Sequence, residues 1–233
     1  MENSLIIYHG SQQIIEMPKF GIGKTYNDYG QGFYCTENIE LAKEWACPDK
    51  QDGYANKYCL NLNDLNVMHL TKGKFNILNW MAMLLANRKF DINSSVGINA
   101  RDFILTRFMP DTTGVDVIIG YRADDSYFSF AEDFVNNTIS LRDLNIAMQL
   151  GTFGEQVVLM SKKAFQQIEF LGYEDADYHE YYYKRFERDQ SARSAYRNTK
   201  KNLQQLKDDL FILDIIREDM DNDDTRLQST ISE

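Results

Sequence analysis

Three things are scarce in this sequence of 233 residues, and each scarcity removes a class of protein. There are only three cysteines, Cys35, Cys47 and Cys59; the number is odd and no two form a CxxC pair. That excludes a disulfide framework and points to reduced thiols. His69 and His179 stand far apart with no Cys/His ligand spacing, so no metal is expected. No apolar run approaches the roughly 18–20 residues that a membrane helix needs. The N-terminal stretch MENSLIIYHG has no basic region and only the short apolar run Leu5-Ile6-Ile7, so a signal peptide is not expected. Positive charge is in deficit: 25 Lys plus Arg stand against 35 Asp plus Glu, a formal net charge of −10. Such a balance disfavours broad attraction to nucleic acid or to acidic membranes. The expected setting is cytoplasmic, with no membrane partner.

What the chain does have is core-forming material. Hydrophobic residues make up 43% of it and aromatic residues 13%, enough for one large domain with a tail. Ser4 to Tyr8 reads as a buried strand ending in a turn at His9-Gly10-Ser11, and residues 12–28 read as a loop. The stretch Asp28 to Ala46, DYGQGFYCTENIELAKEWA, organises the rest. Gly30 and Gly32 allow a tight turn into a short strand, Phe33 to Cys35. Thr36 then reads as a helix start, with Ile39, Ala42, Trp45 and Ala46 at helical spacing. Tyr54 to Leu62 alternates as a strand with Tyr58, Leu60 and Leu62 on one face.

From Asn63 the pattern turns helical, with helices expected over Phe75–Asn87 and Ala100–Met109. A strand follows at Val115–Tyr121, then helices at Asp125–Val135 and Leu141–Leu150. Gln156–Met160 is a strand, Lys162–Gln167 a short helix and Ile168–Leu171 a last strand. Beyond Gly172 the composition shifts to Tyr and charge. Leu203, Leu206, Leu210, Leu213 and Ile216 then mark one stripe of an amphipathic helix, and residues 219–233 read as a flexible acidic tail.

Three predicted strands each carry polar groups at one end: Tyr8-His9-Gly10-Ser11, Gly32-Phe33-Tyr34, and Gly154-Glu155-Gln156. "YHGS", then "GQGFYCT" with Trp45 eleven residues after Tyr34, then a late strand opening on Glu/Gln, resembles the ADP-ribosyltransferase superfamily of the His-Tyr-Glu type. The fuller set, with "GYRADDSYF" and "GEQVVLMSKKAF", resembles a bacterial family of unknown function whose members often sit beside a small partner gene, as toxin–antitoxin pairs do. The likeness spans roughly residues 5–172.

The resemblance implies an α+β fold, a split antiparallel β-sandwich forming an NAD⁺ cleft. A domain over residues 1–173 would carry a helical insert at 63–112, followed by a charged, Tyr-rich segment and amphipathic helix over 174–218. NAD⁺ would be the co-substrate, without a metal. His9 would bind a ribose hydroxyl, and Gly10 would meet the nicotinamide carboxamide through its backbone. Tyr34 would stack on the cationic nicotinamide ring, with Trp45 as a second aromatic. Ser11, Gly32, Phe33 and Thr36 complete the expected cofactor-binding set. The third catalytic position falls to Glu155 or Gln156, adjacent on a strand, of which only one can face the cleft. The phrase "EQVVLMSKKAF" puts Gln156 there, and a glutamine can hold the hydroxyl without supplying charge.

Each of these residues has a structural reading beside the functional one. A histidine after an apolar strand is more often packed and backbone-satisfied than ligating. Aromatics at this spacing are usually core. Glu155 and Gln156 fit a strand end, and Asp124 and Asp125 a helix cap. Lys184, Arg185, Arg188, Arg193, Arg197, Lys200 and Lys201 invite a nucleic-acid reading, but Glu180, Glu187 and Asp189 in the same run favour a solvated face. Gly23-Lys24-Thr25 lacks the first glycine of a phosphate loop, which excludes that class of nucleotide triphosphatase. The resemblance implies a transferase that moves ADP-ribose from NAD⁺ to a macromolecular acceptor, protein or nucleic acid, held in check by a small antitoxin-like protein. The alternatives are an NAD/ADP-ribose-binding pseudoenzyme and an NAD glycohydrolase.

Overall fold

The structure is a computed structural model that describes residues 3–123, 125–149, 154–202 and 208–228. It divides into two compact units. The first comprises Met1–His69, Thr112–Arg122 and Phe153–Arg188 and holds all the strands found among the described residues.

These strands are β1 (Ser4–Ser11), β2 (Phe33–Thr36), β3 (Gly53–Asn61), β4 (Val67–His69), β5 (Val117–Tyr121), β6 (Glu155–Leu159) and β7 (Ile168–Ala176). They form one seven-stranded sheet in the order β4-β5-β6-β2-β1-β3-β7. The expected pair of sheets is thus a single open sheet, and the β4–β5 pair is parallel rather than antiparallel. The sheet is nevertheless narrow at one place. β2 pairs with β6 at all four of its residues, but with β1 only at Tyr8↔Thr36.

One face of the sheet is apolar because β-branched and aromatic residues alternate along its strands. Ile7, Cys35, Tyr58, Leu60, Val117, Ile119, Val157 and Leu159 are buried there together with Ala164 of α6 (Lys162–Gln166). Helix α1 (Ile39–Ala46) lies against β1 and β3 on the other face, buried through Leu41, Ala42 and Ala46. Its N-cap is Asn38, whose side chain accepts from the amides of Glu40 and Leu41. Thr36, expected to start this helix, is instead a buried β2 residue whose hydroxyl accepts from Asn38 N. Gly10 explains how close α1 comes: a Cβ there would overlap the Ala42 carbonyl oxygen.

Several boundaries differ from the sequence reading. His9, Gly10 and Ser11 belong to β1 rather than to a turn, and β7 runs on to Ala176, because β3 supplies partners along all of β1 and along β7 on both sides of an irregularity at Leu171. The stretch expected to be a wholly helical insert at 63–112 contains β4, which needs only three residues to pair with β5.

The second unit comprises Leu70–Asp111, Ala123–Thr152 and Asp189–Glu233, and among its described residues it is helical. It holds α2 (Ile77–Asn87), α3 (Ser95–Phe108), α4 (Asp125–Val135), α5 (Leu141–Gln149), α8 (Ile212–Arg217) and α9 (Thr225–Gln228). Helix α7 (Tyr178–Asn202) runs through both units. Within the second unit Asn79 donates to the Phe108 carbonyl at 2.8 Å, and the Tyr196 hydroxyl donates to Asp133 at 2.6 Å.

The single leucine stripe from 203 to 216 does not form one helix where it can be followed. Leu203 and Leu206 lie outside the described residues, and Leu210 is not helical. Tertiary bonds outweigh helix propensity there: Asp209 accepts from Arg142 at 2.7 and 2.9 Å, and the Leu210 carbonyl accepts from Leu141 N at 2.7 Å. The buried face of α8 is Ile212 and Ile215. In the tail, Met220 and Leu227 are buried, and residues 229–233 lie outside the described set.

Candidate functional site

The site begins where the β1–β2 ladder stops. Past Tyr8↔Thr36 the strands no longer pair, and the Tyr34 carbonyl is taken by the imidazole of His9 at 2.7 Å. A carbonyl only accepts, so Nδ1 carries the proton. Burial lowers the His9 pKa below its usual value, with the Tyr34 bond acting in the opposite direction. The ring is therefore neutral at pH 7, with Nε2 left as an acceptor. Phe33 stacks on the imidazole at 4.3 Å between centroids, and it meets Tyr58 edge-on at 5.6 Å.

Strand alternation then sorts the expected residues by face. The pairing Tyr8↔Thr36 puts Tyr8, Gly10, Tyr34 and Thr36 on the α1 face and His9 with Phe33 on the apolar face. Across β6, Gln156 sits opposite Thr36, and so shares a face with Tyr34; Val158 is on that face too. Glu155 points to the face of His9 and pairs with Tyr121. Thus His9 and Glu155 share one face, and Tyr34 and Gln156 the other. His9 and Tyr34 meet through a backbone carbonyl, not ring to ring.

The α1 face is laced together by hydrogen bonds from the segment before β2. The Tyr34 phenol donates to the Gly30 carbonyl at 2.7 Å and accepts from Tyr29 N at 3.0 Å. The Tyr29 hydroxyl donates to the Tyr121 carbonyl at 2.6 Å. Gln156 Nε2 donates to Asp28 Oδ2 at 3.0 Å and to that same Tyr121 carbonyl at 3.1 Å. Both protons of the Gln156 amide are therefore used in a buried latch. Asp28, Tyr29 and Tyr121 had no role in the sequence reading. Asp28 and Tyr29 lie in "DYGQGFYCT" and Tyr121 in "GYRADDSYF", but Asp28 meets Gln156 across 128 residues and Tyr29 meets Tyr121 across 92.

Other expected contacts turn out to hold the frame. Gly10 admits α1, and the Ser11 hydroxyl accepts from Gln13 N at 3.1 Å. Gly32 lies where a Cβ would press on Val158 and Met160. The Trp45 indole N–H is buried with no hydrogen-bond partner. The Arg122 guanidinium lies 4.5 Å from the indole centroid and so covers one ring face. The Tyr121 phenol is raised above its usual range, first by burial and then by Glu155. Burial pushes the Cys35 thiol well up, which removes it as a nucleophile at neutral pH.

The basic run on α7 is largely paired. Lys184 meets Glu40 at 3.2 Å and Glu180 at 2.5 Å, and Arg188 meets Glu44 at 2.6 Å. Arg193 meets Asp189 at 2.9 Å. The side chains of Lys200 and Lys201 lie outside the described set, as does Asp124. Among the described residues there is no cluster of His, Cys, Asp and Glu able to hold a metal ion, and no helix long and apolar enough to cross a membrane.

Fold and site together define a mixed α+β protein whose open sheet is notched between two strands carrying histidine, glycine and aromatic residues. Residues 5–170 match the family described as "Protein of unknown function (DUF3990)", and the chain belongs to that family. Comparison with curated proteins and with solved structures returned no match.

Proposed function

We propose that this protein is an NAD⁺-dependent ADP-ribosyltransferase acting on a macromolecule, with the β1–β2 notch as its nucleotide site. The supporting observation is the break in the ladder after Tyr8↔Thr36, where an imidazole replaces a backbone partner for the Tyr34 carbonyl. A neutral His9 with Nε2 as acceptor suits a ribose hydroxyl, which donates. The orphaned Trp45 N–H offers a ligand oxygen the partner that it lacks in the protein. Because Arg122 covers one face of the indole, the Trp45 edge is assigned to the ligand rather than that face.

Cleavage of the nicotinamide–ribose bond passes through an oxocarbenium-like transition state, which a fixed carboxylate stabilises. That role is assigned to Glu155, on the His9 face of β6. Gln156 keeps the Asp28–Gly30 segment in place instead. The setting proposed is a bacterial toxin or phage-conflict effector restrained by a small partner protein. A second reading is favoured by the engaged Gln156 amide: a pseudoenzyme that binds NAD⁺ or ADP-ribose without turnover.

Incubation with labelled NAD⁺ and cell extract, followed by nuclease or protease digestion, separates these readings. Label on polymer that disappears in His9→Ala and Glu155→Gln supports transfer. Free ADP-ribose from the parent protein means glycohydrolysis. NAD⁺ binding by the parent without turnover means the pseudoenzyme. No binding at all rejects the nucleotide site.

A further inference from the structure

The connection between β1 and β2 carries a surface that the nucleotide reading does not use. Its apolar side chains face solvent: Met17 is 82% exposed, Ile22 72%, Tyr26 59% and Phe20 46%. Its backbone, by contrast, is tied down. Asn56 accepts from Ile15 N at 2.8 Å and donates to the Gln13 carbonyl at 3.1 Å, and the Tyr58 hydroxyl donates to the Ile15 carbonyl. Gln31 Nε2 donates to the carbonyls of Gly21 and Gly23 at 2.8 and 2.9 Å. Phe20 rests edge-on against Phe165 of α6 at 5.7 Å. These residues are thus held outward by bonds made elsewhere in the segment, and contact with a partner would order little that is not already ordered.

Charge narrows the occupant. Residues 14–26 contain Lys19 and Lys24 against the single carboxylate of Glu16, in a chain of net charge −10. Lys162 of α6 adds a third cation, 5.9 Å from the Phe20 centroid. A second copy of this chain docked through the same patch by a two-fold axis would set lysines against lysines. Single-stranded nucleic acid would use the two aromatics and the cations but leave Met17 and Ile22, the most exposed residues of the patch, without partners. An anionic membrane would attract three lysines and repel the chain's excess of acid. A protein segment with an apolar stripe and carboxylates on its rim satisfies both the aliphatic centre and the cationic edge.

We propose that residues 14–26, with the exposed edge of α6, dock a partner protein through an acidic, amphipathic segment. This segment joins the strands that bear His9 and Tyr34, so a docked partner would stand beside the nucleotide site. That consequence rests on the function proposed above, whereas the docking does not.

Selection of a random phage-displayed peptide library on the full chain, without NAD⁺, tests it. Met17→Ser/Ile22→Ser serves as the counter-target, and circular dichroism and thermal unfolding verify that it and Lys19→Glu/Lys24→Glu remain folded. The expected clones are rich in Asp and Glu with apolar residues at helical or alternating spacing. Their affinity should fall about tenfold or more on Met17→Ser/Ile22→Ser, and about threefold to tenfold on Lys19→Glu/Lys24→Glu, with the second loss shrinking in high salt. Basic clones, or none that distinguish parent from counter-target, would overturn the proposal. So would binding of single-stranded oligonucleotides or phosphatidylserine vesicles with the same dependence on these residues.

Discussion

Strand β2 treats its two neighbours differently. Toward β6 it pairs along its whole length, and the Asp28–Gln156–Tyr121 and Tyr29–Tyr121 bonds close that side. Toward β1 it pairs once and then parts, leaving His9 to hold the Tyr34 carbonyl. One strand is thus sealed on one flank and open on the other. On the sealed flank the polar groups of Tyr34 and Gln156 are satisfied by the fold, whereas on the open flank the His9 ring keeps an acceptor nitrogen. Residues that looked like one constellation in the sequence divide between these two tasks.

The comparison can be broken most severely at Gly10. A Gly10→Val substitution drives a branched side chain into the α1 backbone, and should cost about 3 kcal/mol or more, read as a shift of the urea midpoint or loss of folding. On the sealed flank, Gln156→Leu leaves the Asp28 carboxylate short of a donor and should cost about 1–3 kcal/mol in the same assay. Tyr34→Phe keeps the ring but removes one donor and one acceptor, for about 1 kcal/mol. Urea midpoints unchanged from the parent in both variants would show that the latch is incidental.

The smallest effect sharpens the open flank. His9 has a folded-state pKa below its unfolded value of 6.5, so the unfolded chain binds the extra proton first as pH falls. Its contribution to stability is complete above 6.5 and erodes below it, down to the lowered folded value. The difference in unfolding free energy between the parent and His9→Asn should therefore change with pH in that window and stay flat from pH 7 to 8. A flat difference throughout would mean that the imidazole is not buried as described.

Local chemistry in the sequence was enough to locate most elements. Gly30 and Gly32 ahead of Phe33 marked the entry to β2, and apolar spacing located α1 and α2 to within two residues. Long-range matters were not legible. Nothing near Asp28 announces Gln156, and nothing in the alternation of β1 alone says that pairing with β2 ends after Tyr8. The polar atoms of Tyr34 and Gln156, which the sequence offers as ligand groups, bond to the Asp28–Gly30 segment, a link that no local pattern announces. The leucine stripe beyond residue 202 misled for a related cause: the pull of Arg142 on Asp209 is invisible to helical periodicity.

Hydrogen–deuterium exchange with and without NAD⁺ tests the central claim most directly, because it reads both flanks of β2 in one experiment. The account predicts added protection of the amides of residues 9–11 and 33–35 and of α1 around Trp45, with β6 unchanged, and loss of that protection in His9→Ala. Protection confined to other segments, or none at saturating NAD⁺, would contradict it.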